Sequence, residues 1–180
     1  MKKQVLFIQG AGEGAYEEDA KLAASLQEAL GSEYHVIYPK MSDEGNPEDK
    51  AWMTQIAEEL ASMDGNVILV GHSAGGSVLL KYLLKEKIMK PIAGIFLIAI
   101  PYWGPEDEKD EYTLREGFAS KLPNGVPVFL YHSRDDEWVP FTHLAKYVER
   151  IPQATVREFD GRGHQFNNDV SEVAEDIKSL

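Results

Sequence analysis

A serine flanked by glycines stands at the centre of the segment with the clearest chemical meaning. Residues 71–76 read Gly-His-Ser-Ala-Gly-Gly and lie between the apolar run of residues 66–71 and a leucine-rich stretch. In a nucleophile elbow, a sharp strand-to-helix turn holds such a serine in a strained backbone conformation, and glycines two residues before and after it avoid collisions. The pattern therefore predicts that Ser73 is a nucleophile, exposed at the edge of a sheet.

A serine hydroxyl is a weak nucleophile until a neighbouring base accepts its proton, and the chain has five histidines that could do so. His164 is the strongest candidate, because it lies in the glycine-containing loop of residues 160–164, directly after the last predicted strand. The elbow must emerge on the same edge of the sheet. The other four histidines are predicted to have structural roles, in a strand, at the variable position of the elbow, at a strand end and in a helix: His35, His72, His132 and His143.

The base in turn needs a carboxylate that fixes its tautomer and stabilises the imidazolium. Asp135 and Asp136 follow the fifth predicted strand, so both leave the sheet at the edge of the elbow. We favour Asp136, because residues 138–140 after it suit a turn that returns to the core, whereas Asp135 suits a turn or capping position. Asp135 remains the alternative. The order Ser73, Asp136, His164 along the chain is that of the α/β-hydrolase fold.

An oxyanion hole would complete such a site. One donor is expected to be the backbone N–H of Ala74, directly after the nucleophile. The second should come from the loop after the first strand, residues 9–12, where we favour the N–H of Ala11, with Gly10 next. The spacing of the glycines at 10, 12 and 14 does not fit a dinucleotide fingerprint, and no P-loop lysine follows.

Apolar strand-sized runs alternate with stretches of helical periodicity, and these elements must position the site. Such alternation is typical of a parallel sheet covered by helices on both faces, with the carboxyl ends of all strands at one edge. We predict a single α/β domain over residues 1–180, a three-layer α/β/α sandwich with about six mostly parallel strands. The predicted strands are residues 5–9, 34–38, 66–71, 93–100, 126–132 and 155–159.

The segment 101–124 departs from this pattern, because it is acidic and too long for a tight connection. It is either a solvated excursion or a flap over the site, and its second half, residues 112–122, could form a short helix. Three aromatic residues near strand ends are expected either to line an apolar substrate pocket or to pack in the core or its rim. They are Tyr102, Trp103 and Trp138.

Composition excludes several classes of function. The 180-residue chain carries a net charge of −12, which disfavours nucleic acid and anionic membrane surfaces as partners. No apolar run approaches the ~20 residues that a membrane span needs. The absence of cysteine excludes disulfides and thiolate metal sites, and with no signal peptide recognisable at the N-terminus we expect a cytoplasmic protein.

At these residues the sequence resembles the small serine hydrolases of the retinoblastoma-binding-protein/YdeN type, a compact branch of the α/β-hydrolase superfamily. The resemblance rests on the glycine-rich turn after the first strand, the Trp52 helix, residues 71–76, Asp136-x-x-Val-Pro and residues 163–166, Gly-His-Gln-Phe. It implies six central parallel strands, a triad of Ser73, Asp136 and His164, and esterase-like activity on small substrates. The Leu-x-Cys-x-Glu partner motif associated with the family's name cannot be present in a chain without cysteine.

We therefore predict a serine hydrolase that cleaves small carboxylic esters through an acyl-enzyme, with no metal or organic cofactor. A thioesterase or a peptidase would use the same triad. A non-catalytic protein-binding module on the same scaffold is the alternative from another class. The sequence indicates a small-molecule ester-type substrate and identifies no protein partner.

Overall fold

The computed structural model describes residues 2–86, 88–104 and 113–180. Within these residues, six strands form one sheet in which every neighbouring pair is parallel. The strand order is β2-β1-β3-β4-β5-β6. The strands are β1 Lys3–Ile8, β2 Tyr34–Ile37, β3 Val67–His72, β4 Ile92–Ile98, β5 Val128–Ser133 and β6 Thr155–Phe159.

Helices cover both faces of this sheet, because the strands carry apolar side chains alternately up and down. One face packs on the first and last helices, and the other on the three between them. The helices are α1 Ala15–Leu30, α2 Asp49–Ser62, α3 Ser73–Lys85, α4 Thr142–Arg150 and α5 Ser171–Lys178. The predicted three-layer sandwich is confirmed.

The strand order reverses direction between β1 and β3, which are neighbours in the sheet although β2 separates them in sequence. After β1 the chain runs outward to β2 and then returns to β3, so the connections that follow β1 and β3 depart to opposite faces. A crevice opens at such a switch point, and ligands of parallel sheets bind there. Ile8 pairs with Gly71, so the glycine-rich loop after β1 and the elbow after β3 start at the same level of the sheet.

Helix α2 begins at Asp49, after a turn that the Asn46 N–H closes by donating to the Asp43 carbonyl. One local prediction differs from the structure. No α-helix forms over residues 113–122, where Gly117 at φ +73° leads instead into the short 3₁₀ helix Phe118–Lys121. Most of the predicted flap falls on residues 105–112, which lie outside the described residues.

Candidate active site

Ser73 lies at the junction of β3 and α3 and has the left-handed conformation expected of a nucleophile elbow, with φ at +49°. The turn is tight enough to require its glycines. A Cβ on Gly75 would lie 1.9 Å from the Gln9 carbonyl oxygen, and one on Gly71 would lie 2.5 Å from the Gly76 Cα. The elbow therefore packs directly on the end of β1, and its serine stands at the start of α3, where the helix dipole favours negative charge.

His164 lies in the loop between β6 and α5 and makes a 2.8 Å hydrogen bond from Nδ1 to Oδ2 of Asp136. The Asp136 side chain is fully buried, and its Oδ1 accepts the backbone N–H groups of Trp138 and Val139 at 2.9 and 2.8 Å. Burial opposes its ionisation, but hydrogen bonds from His132, His164 and the backbone outweigh burial and hold the pKa of Asp136 well below its ordinary value. A permanent carboxylate thus faces the His164 ring.

The adjacent carboxylates, Asp135 and Glu137, hold the main chain of the same loop. Asp135 accepts the N–H groups of Arg162 and Gly163, at 3.2 and 3.3 Å. Glu137 accepts the His164 N–H at 3.0 Å. The sequence suggested a turn or capping role for Asp135, but it gave no sign of Glu137, whose contact depends on a loop 27 residues away.

His72 is buried and bridges the elbow to the loop of His164. Its Nδ1 lies 2.8 Å from Oδ2 of Asp19, and its Nε2 lies 3.1 Å from the His164 carbonyl oxygen. The His72 and His164 rings are 4.8 Å apart, centre to centre. Asp19 was missed in the sequence, although a signal was present: a carboxylate among the apolar residues Leu22 and Leu26 on one face of α1 is unusual unless it is paired.

The other three histidines have partners elsewhere or lie at the edge of the sheet. His132 is buried, and its Nε2 lies 2.9 Å from the Val139 carbonyl oxygen and 3.2 Å from Oδ2 of Asp136. His143 Nδ1 accepts the Tyr102 N–H at 2.8 Å. His35 is exposed on the edge strand β2. His164 is consequently the histidine near the elbow whose ring contacts a carboxylate through one nitrogen and leaves the other nitrogen without a partner among the described residues.

The loop after β1 bears on the choice between its two predicted oxyanion donors. The Gly10 N–H donates to Oδ2 of Asp19 at 2.7 Å, which favours Ala11 as the donor from this loop. The Ala11 N–H and the Ala74 N–H donate to no other residue within the described parts of the chain. Both remain candidates for the two donors, and Ala74 is among the first N–H groups of α3, which lack partners within a helix.

Comparison with known proteins now fixes the family. The sequence matches the serine hydrolase family over residues 18–171. This chain belongs to the serine hydrolase family. A search of curated proteins gave no match.

Several solved structures share the fold of this serine hydrolase. The ydeN gene product from B. subtilis superimposes with a TM-score of 0.75 at 20% identity, covering 99% of this chain and 98% of that one. A YdeN-like hydrolase from Pectobacterium atrosepticum gives 0.68 at 17%, covering 99% and 90%. The esterase domain of a Rhodothermus marinus protein gives 0.73 at 15%, covering 98% and 85%. At these identities the likeness shows the fold.

The three predicted pocket residues of the hydrolase lie in different surroundings. Trp103 lines a cavity of about 520 Å³ together with Ser77, which is one helical turn after Ser73. Tyr102 is buried and packs edge-on against Tyr147, with ring centres 5.2 Å apart, and it does not line that cavity. The Trp138 side chain also lies outside the lining and is 77% exposed.

No group of His, Asp and Glu side chains among the described residues of the hydrolase is arranged to hold a metal ion. In the same parts of the chain, no helix combines the length and the apolar character that crossing a bilayer requires.

Proposed function

We propose that this serine hydrolase cleaves small carboxylic esters by a two-step acyl transfer to water, with Ser73 as nucleophile, His164 as base and Asp136 as its partner. The observation that carries the proposal is the 2.8 Å contact of His164 Nδ1 with the buried Asp136, in a loop that His72 bonds to the elbow of Ser73. This combination of groups is the one that serine hydrolysis requires.

The contact with Asp136 decides which nitrogen of His164 can act. A carboxylate only accepts hydrogen bonds, so the proton of the neutral ring must lie on Nδ1, and Nε2 keeps its lone pair. Within the described residues, the His164 ring forms its hydrogen bond through Nδ1 alone. Nε2 is therefore available to take the Ser73 proton as its Oγ attacks the acyl carbon.

The remaining steps follow from the same groups. Attack places negative charge on the carbonyl oxygen, which the Ala11 and Ala74 N–H groups would bind, and each such donor contributes about 3–4 kcal/mol in comparable enzymes. Collapse releases the alcohol, protonated by His164, and leaves the acyl group on Ser73. Water then attacks, with His164 again accepting the proton, and the acid leaves. The cavity of about 520 Å³ beside Trp103 has none of the three proposed catalytic side chains in its lining, and it reaches α3 at Ser77, one turn after Ser73. It would therefore take a part of the substrate that lies away from the reacting carbonyl.

The test compares hydrolysis of p-nitrophenyl esters of graded chain length, with fluorophosphonate labelling measured in parallel. We expect Ser73→Ala and His164→Ala each to lose up to about 10⁶-fold in kcat and to lose labelling. The matched control is His35→Ala, which removes an exposed histidine of the edge strand and should react like the wild type. A folded wild type that neither labels nor turns over any ester, thioester or peptide would remove the proposal and favour a binding module.

A further inference from the structure

Asp19 connects three loops through a single carboxylate. Its side chain, on α1, is 3% exposed and accepts three hydrogen bonds. Oδ2 accepts the Gly10 N–H at 2.7 Å and faces His72 Nδ1 at 2.8 Å, while Oδ1 accepts the Gln165 side-chain amide at 2.8 Å. These donors come from the loop after β1, the end of β3 and the loop before α5, which are far apart in the sequence.

Each of the three donors is the immediate neighbour of a group proposed to act in catalysis. Gly10 precedes the Ala11 N–H, His72 precedes Ser73, and Gln165 follows His164. The bond from His72 Nε2 to the His164 carbonyl oxygen, 3.1 Å long, links two of these loops a second time. Asp19 bonds to the residues beside these groups and not to the groups themselves. It can therefore act on them only through Gly10, His72 and Gln165.

The contacts of His72 determine its charge. Asp19 Oδ2 and the His164 carbonyl oxygen are both acceptors, so both ring nitrogens of His72 must carry protons. Burial lowers the pKa of His72, but the Asp19 carboxylate and the two hydrogen bonds outweigh burial and raise it above the ordinary value. Burial likewise raises the pKa of Asp19, and the contacts with His72, Gln165 and Gly10 lower it overall. The result is a buried ion pair.

We infer that Asp19 is a positioning residue of this hydrolase, which sets the relative places of the oxyanion loop, the nucleophile and the base through its bonds to Gly10, His72 and Gln165. The inference rests on the proposed function. It identifies a second carboxylate–imidazole pair that does no proton transfer of its own. Errors of about 1 Å in such placement can cost about a hundredfold in rate, even where the groups that touch the substrate are all present.

The test is Asp19→Asn, which keeps the shape but cannot accept three hydrogen bonds, because one of its two polar atoms becomes a donor. The matched control is Asp176→Asn in α5. Asp176 is also buried and also accepts three hydrogen bonds, two from Arg157 and one from Tyr131. We expect Asp19→Asn to lower kcat about tenfold to a hundredfold with KM nearly unchanged, and Asp176→Asn to lower thermal stability with kcat unchanged.

A second measurement follows the geometry directly and does not depend on turnover. The His164 Nδ1 proton, shared with Asp136, should give a downfield proton NMR resonance in the folded protein. In Asp19→Asn this resonance should shift or broaden through exchange, whereas in Asp176→Asn it should stay as in the wild type. The resonance also separates the two proposals, because it can be measured in a protein that has no activity. An inactive wild type would rule out the proposed function, and the effect of Asp19→Asn on the resonance would still test the positioning role.

The inference is overturned if the wild type is active and Asp19→Asn has the kcat and the His164 resonance of the wild type. It is also overturned if Asp19→Asn and Asp176→Asn lose kcat equally. Should Asp19→Asn fail to fold, Gln165→Leu removes one of the three bonds from a half-buried side chain. We then expect a kcat reduced by a smaller factor, about threefold to tenfold, with the same shift of the His164 resonance. An unchanged kcat and resonance would again contradict the inference.

Discussion

Two carboxylate–histidine pairs stand side by side in this protein, and they differ in one nitrogen. In both, Nδ1 lies 2.8 Å from a carboxylate oxygen, Asp136 for His164 and Asp19 for His72. His72 also uses Nε2, which bonds to the His164 carbonyl, whereas among the described residues the His164 ring is bonded through Nδ1 alone. A ring bonded at both nitrogens is fixed in place and charged, while a ring bonded at one can exchange a proton. If both proposals hold, the same pair of residue types serves positioning in one place and proton transfer in the other.

Among substitutions of the two carboxylates, the largest effect should come from removing the charge beside the His164 ring. Asp136→Asn keeps the shape but presents either an amide or a carbonyl to His164, so the ring can adopt the wrong tautomer. We expect kcat to fall by about 10⁴-fold. The measurement is kcat for the best p-nitrophenyl ester near neutral pH.

The adjacent residue supplies the control for that substitution. Among the described residues, the Asp135 carboxylate accepts hydrogen bonds from the backbone of Arg162 and Gly163, in the loop of His164, and from the Ser133 hydroxyl. Asp135→Asn alters these contacts. Its kcat should fall by less than about tenfold, since asparagine keeps one acceptor oxygen for these N–H groups and the loss of one main-chain bond, about 1 kcal/mol, corresponds to about fivefold. Equal losses in Asp135→Asn and Asp136→Asn would contradict the division of roles between the two aspartates.

The charged state of His72 predicts a stability effect that depends on pH. Because the pKa of His72 is raised in the folded protein, its stabilisation is complete below the unfolded histidine pKa of about 6.5 and is lost as the pH rises through the folded value. His72→Gln should thus lower the free energy of unfolding by about 1–3 kcal/mol at pH 6. The difference from wild type should shrink towards pH 9.

Denaturant titrations at several pH values would measure this difference. The control is again Asp176→Asn, whose carboxyl pKa is lowered, so its titration lies on the acid side and its deficit should stay constant from pH 6 to pH 9. A deficit of His72→Gln that is equally constant would show that the wild-type ring carries no extra proton.

The two pairs were not equally visible in the sequence. Asp136 and His164 follow predicted strands of a parallel sheet, so the rule that strand ends meet at one edge was enough to bring them together. Asp19 lies in the middle of a helix, and its contact with His72 spans 53 residues between different elements. Periodicity places Asp19 on the buried face of α1 but does not identify its partner, because that depends on how α1 packs against the elbow.

The strands could be predicted from the sequence, whereas the surroundings of the three aromatic residues could not. The sequence predicted the six strands of the described residues to within about two residues at each end. The signal was strongest for the four inner strands, since burial on both faces gives them mostly apolar residues. The aromatic residues 102, 103 and 138 share that apolar character, but one is buried, one lines the cavity and one is exposed. Hydrophobicity alone does not distinguish these three outcomes.

Substitution of Trp138 should have the smallest effect on kcat and KM, and it tests whether Trp138 contacts Asp136 through its backbone alone. Its backbone N–H donates to Oδ1 of Asp136 at 2.9 Å, while its side chain is 77% exposed. Trp138→Ala keeps the N–H, so we expect kcat and KM within about twofold of wild type and a stability change within about 0.5 kcal/mol.

Trp103→Ala, which removes part of the wall of the 520 Å³ cavity, should instead raise KM several-fold for long-chain esters, in proportion to the apolar surface that the indole ring no longer covers. The comparison is a chain-length series of p-nitrophenyl esters on both variants. If Trp138→Ala raised KM as much as Trp103→Ala, the exposed ring would contact the substrate, and residue 138 would contribute its side chain to binding as well as its main chain to the triad.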